Sequence, residues 1–175
     1  MRPTLALLSL ALVLPVGAQA QPKRAPAVKS EPGPKQLGKF GDWIAATYQE
    51  AGRTVCYAFV PAKRSVPAVP KRGEVILTVT ERPASRDIAA ISTGFKYPKG
   101  ATVVVQVDTV GLDFYTADGN AFARDGKAVV AAFQRGEQAL ARSPGPREGQ
   151  TVVDTFSLNG FSAAYEAITK TCPTR

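Results

Sequence analysis

An exported chain with only two cysteines has few ways to staple itself, and that limits what this sequence can fold into. The export signal is read first. Arg2 gives a short positive start, Leu5 to Val16 is an apolar run too short to span a bilayer, and Ala18-Gln19-Ala20 has the small-x-small pattern that signal peptidase reads. Cleavage is expected before Gln21, and no cysteine stands directly after the cleavage site to carry a lipid anchor. In the oxidising compartment such a chain enters, Cys56 and Cys172 are read as a disulfide. They stand more than a hundred residues apart, so the bond would tie an early strand to the far C-terminus. In the chain-entropy model a loop of that size is worth roughly 4–5 kcal/mol. The alternative is two free thiols used in redox chemistry, but that role favours a close pair such as C-x-x-C, which is absent.

The formal net charge of +8 is unevenly spread. Residues 21–39 carry Lys23, Arg24, Lys29, Lys35 and Lys39 against Glu31 alone. Residues 61–73 carry Lys63, Arg64, Lys71 and Arg72 and no acid at all. The remainder of the mature chain is close to neutral. Pro22, Pro26, Pro32 and Pro34 interrupt helix and ladder alike, so 21–39 reads as a disordered basic tether after the 1–20 signal. The folded domain is expected over 40–175. No second apolar stretch approaches membrane-spanning length, so no integral span is expected.

Alternation dominates that domain. Asp42 to Tyr48 and Thr54 to Val60 read as a hairpin turning at Glu50-Ala51-Gly52-Arg53. The second of these strands is apolar on both faces, with Val55, Tyr57 and Phe59 on one and Cys56, Ala58 and Val60 on the other, as in a sheet covered on both sides. Further strands are expected at Glu74 to Thr80, Ile88 to Phe95, Thr102 to Asp108, Leu112 to Thr116, Asn120 to Ala123, Glu137 to Arg142 and Gln150 to Leu158. Asp125 caps a short helix that Gly136 ends. A last helix starts near Asn159 or Gly160, with Phe161, Ala164, Tyr165 and Ile168 at the spacing of a buried face and Cys172 on the same side. The fold class is therefore mostly β: a single-domain, sandwich-like or curved antiparallel sheet with one or two short helices.

Several segments together resemble the invasion-associated locus B family of bacterial exported proteins. They are Phe40-Gly41-Asp42-Trp43, Val55-Cys56-Tyr57-Ala58, Thr80-Glu81-Arg82-Pro83, Gly94 through Gly100 with Tyr97-Pro98, and Val130 through Gly136. The longest is Asp154-Thr155-Phe156-Ser157-Leu158-Asn159-Gly160-Phe161-Ser162-Ala163-Ala164. The resemblance covers about residues 40–172. It implies a periplasmic or envelope-associated, mostly β domain linked in some pathogens to host-cell entry, and it carries over no catalytic residue set. Two departures stand out: many relatives have a cysteine shortly after the opening tryptophan, where this chain reads Ile44-Ala45-Ala46-Thr47, and Phe122 stands where relatives often carry tryptophan.

Candidate sites are few. There is no histidine, so Ser-His and Cys-His activation and histidine-based metal sites are excluded, and no P-loop or dinucleotide fingerprint is present. Asp154 shares a strand face with Val152 and Phe156, so it is a candidate general acid or base, though such a group more often pairs with an arginine, here Arg82 or Arg135. Trp43, Tyr57, Phe59, Phe156 and Phe161 read as core rather than as a ligand pocket. The stronger functional case is the 61–73 loop, read as a semi-rigid proline-bearing arm. Lys63, Arg64, Lys71 and Arg72 would attract an anionic envelope or host-surface component. Nucleic acid is not expected, because neither basic segment has an aromatic residue for stacking. No cofactor or metal is implied. The reading is a non-enzymatic envelope-binding protein, periplasmic or outer-membrane-associated. The alternatives are an envelope enzyme or accessory using a carboxylate, or a purely structural envelope component.

Overall fold

A computed structural model describes residues 33–174. The expected signal peptide and residues 21–32 of the expected tether lie outside the described residues. Among the described residues eleven strands follow in chain order: β1 (Lys35–Phe40), β2 (Trp43–Glu50), β3 (Arg53–Pro61), β4 (Arg64–Val66), β5 (Ile76–Arg82), β6 (Ser85–Ser92), β7 (Thr102–Val107), β8 (Val110–Ala117), β9 (Asn120–Ala123), β10 (Gln138–Pro144) and β11 (Thr151–Ser157). Two helices interrupt them, α1 (Gly126–Phe133) after β9 and α2 (Phe161–Thr171) after β11.

All pairings are antiparallel and belong to one open sheet, in the order β1-β2-β3-β5-β6-β9-β8-β7-β10-β11-β4. The sheet curls until β11 lies near β3. The chain leaving β3 needs only Ala62 and Lys63 to reach the far edge, where the Lys63 N–H donates to the Thr155 carbonyl at 2.8 Å. Alternation along each strand then sends one set of side chains inward. Trp43, Leu77, Ile91, Phe114 and Phe156 from the strands meet Phe133 of α1 and Phe161 and Ile168 of α2, all fully buried. The rings of Trp43 and Phe161 lie edge to face with centroids 4.8 Å apart, the arrangement aromatic quadrupoles favour. Asp125 caps α1 by accepting from the Ala128 N–H, as its place in the sequence implies. Cys56 on β3 is joined to Cys172 at the end of α2.

Three expectations need correction. Lys35 to Lys39, assigned to the tether, form most of β1, because Phe40 pairs with Trp43 and the ladder continues back to Lys35 and Thr47. The 61–73 loop is not a projecting arm: Arg64–Val66 is a strand on β11. Tyr57 and Phe59 are not core, since the inward parity of β3 belongs to Cys56, Ala58 and Val60. The two rings stack on the outer face instead, with centroids 5.8 Å apart.

Candidate functional site

The loop between β3 and β5 takes its shape from one register. Ser65 pairs with Asp154, and strand alternation turns both of those side chains inward while Arg64 and Val66 face out. Arg72 then comes back under the loop. Its guanidinium forks onto the Asp154 carboxylate, Nη1 to Oδ1 and Nη2 to Oδ2, both at 2.7 Å. Ser65 Oγ donates to the same Oδ1 at 2.6 Å, Arg72 Nε donates to the Thr93 carbonyl, and the guanidinium lies 4.9 Å from the centre of the Phe95 ring. The side chains of Arg72 and Asp154 are only 5% and 1% exposed.

The four cations expected to act together are therefore divided. Arg72 is corrected from a surface cation to the buried partner of Asp154, because only a fork of donors reaching under the loop can satisfy a carboxylate that the β11 register turns inward. Arg82 and Arg135 are not that partner. Arg82 pairs with Glu50 at 2.9 Å and Arg135 lies exposed on the surface. Lys63 is exposed and bridges to Asp42 at 2.9 Å. Arg64 and Lys71 are exposed and make no ion pair among the described residues. Both Asp154 oxygens are engaged and shut away from solvent, so what this arrangement can do chemically is hold the loop to the sheet. Beside it, burial pushes the Tyr97 phenol up to about 12, so it stays neutral.

Two of the motifs that carried the family resemblance, the opening Phe40–Trp43 and the closing Asp154–Ala164, meet in space. Gly41, at φ +55, and Gly160, at φ +89, pass so closely that a Cβ on Gly160 would overlap the Phe40 carbonyl. The Asp42 N–H donates to the Asn159 carbonyl at 3.1 Å, Ser157 Oγ donates to Asp42 Oδ2 at 2.6 Å, and Trp43 Nε1 donates to the Ser157 carbonyl at 2.9 Å. Hydrogen bonds from Ser157 and then Lys63 hold the Asp42 carboxyl below its ordinary range. These residues clasp the entry of β2 to the exit of β11, a use that is architectural.

A second buried carboxylate supports the disulfide. Glu81 is the register partner of Cys56 and fully buried. The Asp87 N–H donates to its Oε1 at 3.1 Å, Arg86 forms an ion pair with Oε2, and Arg86 also donates to the Cys172 carbonyl. Tyr165 of α2 donates to Asp87 Oδ1. Burial pushes Glu81 up to about 7, with the Asp87 carboxylate adding to the push against the Asp87 N–H and Arg86. A folded-state value above the unfolded one means that the native protein holds the proton more tightly. This group's contribution is thus complete below about pH 4.5 and is lost as pH rises through 7. Wild type should lose roughly 2 kcal/mol between pH 5 and 8 relative to Glu81→Gln, measured by urea unfolding across pH. Parallel profiles for the two proteins would contradict this.

A cleft of about 460 Å³ follows the β10–β11 turn, lined by Pro98 and residues 144–151, and none of the loop cations lines it. Among the described residues no group of acidic, cysteine or histidine side chains is placed to hold a metal ion, and no helix is long and apolar enough to cross a membrane.

Comparison with known proteins gives two findings. The model of the family described as Invasion associated locus B (IalB) protein matches residues 43–169. The crystal structure of invasion associated protein B from Bartonella henselae superposes with a TM-score of 0.54 at 17% identity, covering 77% of this chain and 95% of that one. At that identity the likeness shows a shared fold. No curated protein matches the chain.

Proposed function

Because the chain belongs to the invasion-associated locus B family, we propose that it is an exported envelope protein that acts by non-enzymatic binding, attracted to anionic surfaces through the cations its 61–73 loop leaves in solvent. The observation that carries this reading is the division within the loop. Arg72 is spent inward on Asp154, and that anchor holds Lys63, Arg64 and Lys71 on the outside of the β4 edge. Cations on a tethered loop keep their hydration while the backbone stays ordered, which suits reversible attraction to phosphate or carboxylate surfaces. The solved relative's printed name links that protein to invasion; a host-surface partner for this chain extends that link and belongs to the proposal. The location, periplasmic or at the outer membrane, is proposed on the signal-like segment of residues 1–20.

The test is binding of the oxidised mature protein to outer-membrane vesicles and to cell-wall sacculi across a salt series. Lys63→Gln/Arg64→Gln/Lys71→Gln is run beside wild type. Binding should weaken with salt and fall about tenfold or more in the triple variant. Binding that ignores salt and is equal in both proteins would overturn the reading.

A further inference from the structure

The cross-strand pairings place a second basic feature beside the loop. From the edge inward, Val66 on β4 faces Val153 on β11, which faces Arg142 on β10, which faces Val104 on β7, which faces Asp113 on β8. The neighbouring outward row runs Arg64, Thr155, Leu140, Gln106. Both rows lie on the solvent side, because the residues between them (Ser65, Asp154, Ala141 and Val105) point inward. Two arginines, two strands apart and one outward row offset, roughly 12 Å at sheet spacing, are thus set among half-buried and exposed aliphatic side chains. Val66 is 42% and Val104 38% exposed, two of the few large apolar residues left in solvent among the described residues. Neither Arg64 nor Arg142 makes an ion pair among the described residues, and within the two rows the only acid is Asp113, at the far end.

We infer that the outer face of β4-β11-β10-β7 is a docking surface for an anionic phospholipid bilayer, with Arg64 and Arg142 on lipid phosphates and Val66, Val153 and Val104 resting in the headgroup layer. The inference rests on the anionic-surface reading above and deepens it by naming the face, a new residue and the source of the phosphate. The chemistry is complementary on two counts. Unpaired guanidiniums fork onto phosphate oxygens, and aliphatic side chains between them gain burial that a purely polar polymer would not offer. An outward face spread over four neighbouring strands suits an extended surface better than a small molecule. The opposite edge is built otherwise: β1 carries Lys35 and Lys39 and an irregular register near Gly38, the usual guards against edge pairing.

The experiment is co-sedimentation of the oxidised mature chain with phosphatidylcholine vesicles, with and without phosphatidylglycerol, at two salt concentrations. Three variants accompany wild type, each first shown by circular dichroism and thermal unfolding to keep its fold: Arg64→Gln/Arg142→Gln, Val66→Ser/Val104→Ser and Lys63→Gln/Lys71→Gln. Wild type should bind only vesicles containing phosphatidylglycerol. The arginine pair should lose about tenfold or more in affinity, and the valine pair should lose the fraction of binding that survives high salt. The lysine pair should lose less than the arginine pair. Equal or greater loss in the lysine pair would place binding in the loop and overturn this face while leaving the general reading. Binding to sacculi or outer-membrane vesicles without binding to phosphatidylglycerol vesicles would overturn the phospholipid assignment alone. Failure on every surface would overturn both.

Discussion

Arg72→Met, with Asp154 left in place, should destabilise the domain by about 3–5 kcal/mol, because it strands a carboxylate in the interior with one serine hydroxyl as its remaining donor. The expected size follows from what is lost. The fork supplies two charge-assisted hydrogen bonds at 2.7 Å, and burial prevents water from replacing them. The loss should not be read as the worth of the pair. Arg72→Met/Asp154→Leu removes both charges together and should recover most of the stability, since a well-packed apolar pair often matches a buried ionic one. Denaturant unfolding of the two single variants and the double, read as a cycle, checks this. A single-variant loss below about 1 kcal/mol, the range of exposed pairs, would mean that the pair is solvated.

The second large effect belongs to the disulfide. Cys56→Ala/Cys172→Ala should lower stability by about 4 kcal/mol, which for a domain of this size lowers the melting temperature by roughly 10 °C. The bond joins β3 to the last turn of α2, and α2 supplies Phe161, Ala164 and Ile168 to the core. Without it the helix is held only by that face and by polar ties such as Arg86 to the Cys172 carbonyl and Tyr165 to Asp87. Thermal unfolding with and without reductant should reproduce the difference in wild type and leave the alanine variant unchanged. A wild-type midpoint insensitive to full reduction would show that the core alone fixes α2.

Much of this fold was legible because its strands alternate and its turns are marked. Val103, Val105 and Val107 announce β7, and Asp118-Gly119 announces the β8–β9 hairpin. Cys172 was aimed at Cys56 by helical register from Phe161. What could not be read was which distant segments become neighbours. Lys35 to Phe40 is too polar and too rich in lysine to look like a strand, and it becomes one because β2 presents a free edge to it. Tyr57 and Phe59 look like core by composition, yet parity gives the inside to Cys56 and Ala58, and the alternation alone could not choose between two apolar faces.

The candidate site shows the same limit at the level of single residues. Asp154, between Val152 and Phe156, signalled a buried carboxylate in need of a cation. Its partner was hidden because Arg72 is indistinguishable by type from Lys71, Arg64 and Lys63 in the same loop. The pairing of β4 with β11 turns Ser65 inward, and Arg72 reaches Ser65 and Asp154 from the returning part of the loop. Glu81 gave a weaker signal, a lone acid at an inward position of β5 opposite Cys56, and its role waited on Arg86 and Asp87 arriving from the next strand. Arg142 gave none. It reads as an ordinary surface arginine until the register sets it between Val153 and Val104.

The central claim is that the basic loop divides its labour, one arginine holding the fold and the outward cations meeting an anionic surface. The most direct measurement sets Arg72→Met/Asp154→Leu beside Lys63→Gln/Arg64→Gln/Lys71→Gln. Binding of each to outer-membrane vesicles is recorded with its unfolding midpoint. The account predicts that the first variant folds and binds like wild type, while the second keeps its midpoint and loses binding. Loss of binding in the first with retention in the second would contradict it, and would move the function inward to Arg72 and Asp154.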